Sequence, residues 1–289
     1  MRAGTARGGG TSRLRGRVGP SVSATVLYAG LVLGALITLV PFALGLLTSF
    51  TSQHQFVTGK PLQLPRPPTL ANYGDLGGAG FGRAAAVTAL MTAVILVGQL
   101  TFSVLAGYAF ARVHFPGRDA LFWVYIATLM VPGTVTVVPM YLMMAQVGLR
   151  NTFWALVLPF MFGSPYAIFL LREHFRIIPN DLINAARLDG ANTLDLIVHV
   201  VIPSSRPVLA ALTLITVVSQ WNNFMWPLVI TSGGKWRVLT VATAGLQSQF
   251  NSQWTLVMAA TTVAIVPLIV LFVAAQRHIV DSIVVSGLK

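Results

Sequence analysis

The chain has 289 residues, 55% apolar and only 9% charged, against roughly 25% charged residues in soluble domains, which excludes an ordinary water-soluble fold. Its formal charge of +12 fits basic loops facing an anionic leaflet, because too little of the chain is polar to build a nucleic-acid groove. No cysteine is present, which excludes disulfides, thiolate metal sites and cysteine nucleophiles.

Residues 1–20 form a Gly- and Ser-broken segment with five arginines and no acid. That composition predicts a disordered cytoplasmic tail. The apolar run that follows is too long for the core of a signal peptide and ends in no small-residue cleavage site. Residues 21–289 read as one transmembrane domain. Six stretches can cross about 30 Å of hydrocarbon, which takes roughly 20 helical residues: Val22–Leu47, Ala84–Ala111, Ala120–Ala145, Thr152–Leu171, Pro207–Ile230 and Trp254–Gln276. All seven acidic residues lie outside them. With the N-terminus in the cytoplasm, thirteen of the nineteen Lys and Arg residues fall on the inner side, so both termini are expected inside. Trp123, Trp154 and Trp254 then sit near span ends, where amphipathic rings prefer to lie.

Pro132-Gly133 and Pro139 interrupt the third span. Proline removes a helix hydrogen bond, and such breaks are tolerated where the backbone is buried or lines a cavity, so Pro132 marks either a pathway or a packing kink. The fifth span carries Gln220, Trp221, Asn222, Asn223 and Trp226. Trp221 lies roughly 21 Å from the inner end of that span at 1.5 Å per residue. Amides and aromatic faces suit a sugar, whose hydroxyls bond amides and whose C–H faces lie on rings. Hydrogen bonding between helices explains the same residues equally well. The amide-rich outer segment Gly245–Trp254 fits either a docking loop or a solvated connection. The five histidines show no metal-ligand spacing, and no nucleophile–base pair is legible. The "SGGKW" stretch (Ser232–Trp236) lacks the spacing of a nucleotide-binding P-loop. A proton- or sodium-driven carrier would place ionisable groups at membrane depth.

The inner loop from Arg172 to Arg206 is longer than a connection requires. Pro179 suits a helix start and Asp181 complements its dipole. Gly190 falls where a left-handed residue would stop that helix. Asn192 caps a second helix, with Asp195 three residues on as a partial capping box. There Leu194, Ile197, Val198, Val201 and Ile202 make one amphipathic stripe, ended by Pro203. Two short helices at a glycine corner are expected. The stripe suits docking to a partner or lying on lipid, since periodicity does not name its contact.

The segment Asn184-Ala185-Ala186, Gly190 and Val200-x-Ile202-Pro203 resembles, at matching spacing, the "EAA" signature of permease subunits of binding-protein-dependent ABC importers. Asn184 stands where that signature has Glu. "PPTLANY" (Pro67–Tyr73), "AGYAFARVHFPGR" (Ala106–Arg118), "QWNNFMWPLV" (Gln220–Val229) and the tail from Gln276 to Lys289 resemble, in order, the carbohydrate-uptake branch that includes the maltose transporter. In the tail, Asp281 replaces the usual basic residue. The resemblance implies an all-α integral membrane protein of the type I ABC importer permease class, with six spans and a cytoplasmic coupling loop at 172–206. It implies that Asn184, Ala185, Ala186, Asp189, Gly190, Leu194, Ile197, Val198 and Pro203 form the contact to an ATPase. Implied partners are a second, homologous permease, two ATP-binding cassette subunits and an external solute-binding protein. ATP and magnesium would sit on those ATPase subunits, and residues 277–289 would form a cytoplasmic tail. The expected cargo is a sugar or sugar-like solute. The rivals are a permease for glycerol 3-phosphate, which would want Arg or Lys at depth, and a stand-alone carrier or channel.

Overall fold

The computed structural model describes residues 22–60, 63–248 and 253–286, with the backbone alone at 22–23, 248 and 275–286. The basic tail, residues 249–252 of the outer segment and the last three residues lie outside the described residues. Every regular element described is helical. The chain divides into two packing units, Met1–Leu44 and Gly45–Lys289. The first contributes most of α1 (Val22–Ser49), whose large apolar side chains from Val26 to Val40 are exposed. A helix apolar on all sides is a solution for lipid rather than water.

In the second unit, α2 (Gln53–Thr58) and α3 (Ala71–Gly78) precede the long α4 (Phe81–Arg112). Then come α5 (Arg118–Ala127), extended by a 3₁₀ turn at Thr128–Met130, and α6 (Gly133–Gln146). Next are α7 (Phe153–Met161), α8 (Pro165–Ile177), α9 (Asn180–Leu188) and α10 (Thr193–Ser204). The unit ends with α11 (Arg206–Trp221), α12 (Met225–Ile230), α13 (Leu239–Ser248) and α14 (Trp254–Ser286).

Four helical stretches are long and apolar enough to span a bilayer: Ala24–Ser49, Phe81–Arg112, Phe153–Ile177 and Trp254–Ala274. Two bent pairs, Arg118–Met130 with Gly133–Gln146 and Thr193–Ser204 with Arg206–Trp221, bring the number to as many as six. The expected third span is one of these, turning by 102° between Met130 and Gly133. Proline disfavours the helical conformation in the residue before it, and Val131 is extended at φ −84°, ψ 116°. The expected fifth span is also discontinuous. α11 has 16 residues, about 24 Å of helix, and stops at Asn222–Phe224 before α12 resumes. The fourth span is interrupted too, at Phe162–Ser164, ahead of Pro165.

Two apolar clusters are stacked along α4. The one nearer the end of α4 joins Val104 and Tyr108 of α4 to Leu171 and Phe175 of α8 and Leu212 of α11. The one nearer its start joins Val87, Met91 and Ile95 of α4 to Leu156 of α7 and Trp226 and Ile230 of α12. Ahead of α4, buried Asn72 from the "PPTLANY" stretch donates to the carbonyls of Ser49 (2.8 Å) and Thr51 (2.9 Å) and accepts from Thr255 Oγ1 (3.1 Å). That side chain ties the end of α1 to the start of α14. Trp123, Trp154 and Trp254 are exposed.

α4 approaches α7 closely because residue 98 is glycine. A Cβ there would lie 2.6 Å from the Met161 carbonyl oxygen, a backbone atom. Gly98→Ala is therefore expected to lower stability by about 1–3 kcal/mol through overpacking. Gly82→Ala, also on α4 but with nothing within 4 Å of its Cβ position, should not. Thermal unfolding of the two variants in detergent, followed by size-exclusion chromatography, checks this.

Candidate functional site

The loop after α8 is built from local chemistry. Helix α9 ends in a Schellman motif: Gly190 N–H donates to Arg187 O (3.0 Å) and Ala191 N–H to Ala186 O (3.0 Å). Gly190 holds φ +90°, a left-handed conformation that a Cβ opposes. Asn192 and Asp195 then complete a full capping box on α10. The two helices at a glycine corner are as the spacing predicts.

The apolar stripe is not one surface, and this corrects the expectation. Ile183, Leu196, Ile197 and Val201 are buried in the cluster near the end of α4, against α4, α8 and α11. Leu182, Leu188, Leu194 and Val198 are exposed, Leu188 at 89%. Residues Ile197–Val201 form a π turn, with Ile202 N–H bonded to Ile197 O. The split precedes that wider turn: at about 100° per residue Ile197 and Val201 fall on one edge of the stripe and Leu194 and Val198 on the other, and only the first edge is packed. Of the residues assigned to a partner contact, Asn184, Ala185, Asp189, Gly190, Leu194, Val198 and Pro203 are exposed and Ala186 is half-buried, whereas Ile197 faces the spans.

At the interruption of the fourth span lies a cavity of about 290 Å³. Its polar lining comes from Gln99, Ser164, Tyr166, Thr216, Ser219 and Gln220, with Phe160 and Phe162 adding rings and no charged side chain. The break is held by its neighbours: Ser164 N–H donates to Ser103 Oγ (3.2 Å) and Tyr125 O–H to Gly163 O. The Ser164 hydroxyl makes no cap on α8. Gln220 is 8% exposed, and its Oε1 accepts from Asn223 (3.4 Å).

A second cavity of about 390 Å³ lies between α11, α13 and α14. Trp221, Asn222, Thr240, Thr243, Gln247 and Thr261 line it, again without charge. The expected pathway residues therefore separate. Gln220 faces the first cavity, and Trp221 and Asn222 the second. Asn223 is spent on Gln220, with its carbonyl accepting from Thr240 (2.8 Å). Trp226 is 2% exposed, donates to Ala155 O (2.9 Å) and meets Phe160 edge-on, so it is a packing residue. Pro132 is exposed at its bend and lines neither cavity.

The chain has counterparts among known proteins. The family profile described as "Binding-protein-dependent transport system inner membrane component" matches residues 99–285. The chain is 32% identical over 268 residues to the sn-glycerol-3-phosphate transport system permease protein UgpE of Yersinia pestis bv. Antiqua (strain Antiqua), covering 89% of this chain and 94% of that protein. It is 32% identical over 196 residues to the arabinooligosaccharides transport system permease protein AraQ of Halalkalibacterium halodurans, covering 68% and 70%. A chain from the crystal structure of a bacterial ABC transporter involved in the import of the acidic polysaccharide alginate superposes with a TM-score of 0.81 at 25% identity, covering 89% of this chain and 96% of that one. The chain belongs to the family of inner-membrane permease components of binding-protein-dependent ABC transport systems. The permease is thus a multi-pass membrane transport subunit.

In the permease, Thr216, Ser219 and Gln220 share one face of α11, and Gln99 and Ser164 join them through tertiary packing. The sequence signals for that site are the Thr216-x-x-Ser219-Gln220 spacing and Gly163-Ser164-Pro165, a helix-breaking triplet within an apolar run. The different roles of the two tryptophans can be separated. Trp226→Ala should cost about 3–5 kcal/mol, as for other buried aromatics, and reduce the yield of folded permease. Asn222→Ala, at an exposed side chain bonded only to its own helix, should leave unfolding unchanged within about 0.5 kcal/mol. Thermal denaturation of the purified variants distinguishes them.

Proposed function

We propose that the permease forms half of the translocation pathway of an ATP-driven importer and that the loop at 172–206 receives the force. It would pair with a second, homologous permease, two ATP-binding cassette subunits and an external solute-binding protein. ATP and magnesium are held by the ATPase subunits, and both termini of this chain lie in the cytoplasm. The observation that carries this reading is the two-faced loop. Its inner side chains are part of the span core, while Leu182, Leu188, Leu194 and Val198 stand outward. A partner gripping the outer face moves the spans through the inner one. Asn184 on that outer face can still hydrogen-bond where the family signature has a carboxylate.

The cargo is a neutral sugar or sugar-like solute. Hydroxyl, amide and aromatic groups line both cavities and no charge does, which suits a polyol better than a phosphate dianion. The relationship to UgpE keeps glycerol 3-phosphate as the second reading. Uptake by cells expressing the whole transporter decides between them: arabino-oligosaccharides should enter and glycerol 3-phosphate should not. Gln220→Ala should reduce the uptake without loss of assembled complex. Uptake of glycerol 3-phosphate alone would overturn the neutral assignment.

For the loop, Gly190→Val is the test. A β-branched residue at φ +90° costs roughly 1–3 kcal/mol locally and should misplace α10 relative to α9. The variant should still insert in the membrane but lose coupled ATP hydrolysis and uptake, whereas Asn184→Glu should match wild type or retain the ATPase better on purification. Normal coupling in Gly190→Val would return the loop to a lipid-surface role. Orientation is checked by thiol labelling in intact cells: a cysteine at Asn192 should be protected from external reagents, and one at Gln249 should react.

A further inference from the structure

We infer that Arg112 is a positioning residue that fastens the loop to the second span. It is the last residue of α4. Its Nε donates to Phe175 O at 3.0 Å, Nη2 donates to Phe175 O and Ile178 O, and Nη1 donates to Asn180 Oδ1. Thus one guanidinium spans the end of α8 and the start of α9. Among the described residues no carboxylate pairs with it.

The need for Arg112 follows from Pro179. In a continuing helix the Phe175 carbonyl would accept from the N–H of residue 179. Proline has none, and Ile178 before it is extended at φ −60°, ψ 126°. The orphaned carbonyls at this helix end need donors from elsewhere, and a cation there also opposes the negative end of the α8 dipole. Lysine is not equivalent: its single ammonium lacks the planar fork that reaches several fixed acceptors together.

The clamp also has a direction. Arg112 and Gln99 are on one continuous helix, about 20 Å apart at 1.5 Å per residue, and Gln99 lines the charge-free cavity. A shift of α9 pulls on Arg112, and α4 carries the shift to the wall of the cavity. Apolar packing of the cluster near the end of α4 allows sliding, whereas four directional hydrogen bonds oppose it. The functional half of this assignment rests on the coupling role proposed for the loop.

The chain's lack of cysteine gives a clean background for the test. Spin labels are placed at R187C, an exposed residue of α9 outside the assigned partner contact, and V147C, beyond the end of α6, in the complete purified transporter. The parent pair should give a narrow distance distribution. Arg112→Gln should broaden it, and uptake of arabino-oligosaccharide or glycerol 3-phosphate, whichever the parent carries, should fall about tenfold per ATP hydrolysed, within the range by which residues outside both sites modulate coupling. Arg112→Lys should behave like the glutamine variant, and Asn180→Ala, which removes one arm, should give a smaller change in both readouts. These two variants keep the test decisive if Arg112→Gln does not assemble. An unbroadened distribution in Arg112→Gln overturns the clamp. Less assembled complex with unchanged uptake per ATP assigns Arg112 a merely structural part and overturns the positioning role. Failure of the loop's coupling role shows separately, as normal coupling in Gly190→Val.

Discussion

A backbone carbonyl or amide in hydrocarbon must find a partner inside the protein, because no water is there to supply one. The break in the fourth span meets that constraint, and the end of α8 at the loop meets the same need for partners. Where the fourth span opens at Phe162–Ser164, the freed groups are met by Ser103 and Tyr125. Where α8 stops before Pro179, Arg112 takes the place of the missing amide. Each break therefore gathers polar side chains around itself. At the fourth span the same gathering produces a cavity that is polar yet carries no charge. A pathway for a hydroxyl-rich solute and the satisfaction of a broken helix require the same residue types in the same place.

The features legible in the sequence are those fixed by neighbours along the chain. Pro179, Gly190 and the Asn192–Asp195 pair set the ends of α9 and α10 through contacts no more than five residues apart, so the corner could be read directly. The bend at Pro132 was readable for the same reason. The face of α10 was not, since periodicity gives the angle between side chains but not which edge of the stripe a neighbouring helix covers: Ile197 and Val201 lie in the core, and Leu194 and Val198, on the adjoining edge, do not. Leu194 and Ile197 were grouped together in the sequence and point to different surroundings in the fold. The cavity was also hidden. Thr216, Ser219 and Gln220 share one face of α11 at i, i+3, i+4 spacing, but Gln99 is an isolated polar residue on α4, and only packing brings it and Ser164 to that face. Arg112 counted in the sequence as one more basic residue and as part of the Ala106–Arg118 stretch, with no role of its own. Trp226 shows the opposite error: its neighbours in the "QWNNFMW" run line cavities, and it packs in the core.

The loop and the cavity are linked by a short physical route. The loop's inner face belongs to the same cluster as α4, α8 and α11, and two of those helices, with α8 entering at its start, supply the cavity wall. No long chain of side chains is needed to connect them. Rigid helices between a gripped surface and a lined space are sufficient, provided that the joint at the loop does not slip.

The stacking of two apolar clusters along α4 has a consequence for how such a chain can change over time. Cavity residues Gln99, Ser164, Thr216 and Gln220 lie along a seam between them, and none belongs to either cluster. In the pathway proposed, substitutions along the seam would alter the groups presented to a solute while leaving both packed regions whole. A lineage would then shift its diet by drifting in a few polar positions, without passing through a poorly folded intermediate. Permeases of this one fold that bear the names of quite different nutrients are what such a division of labour would produce.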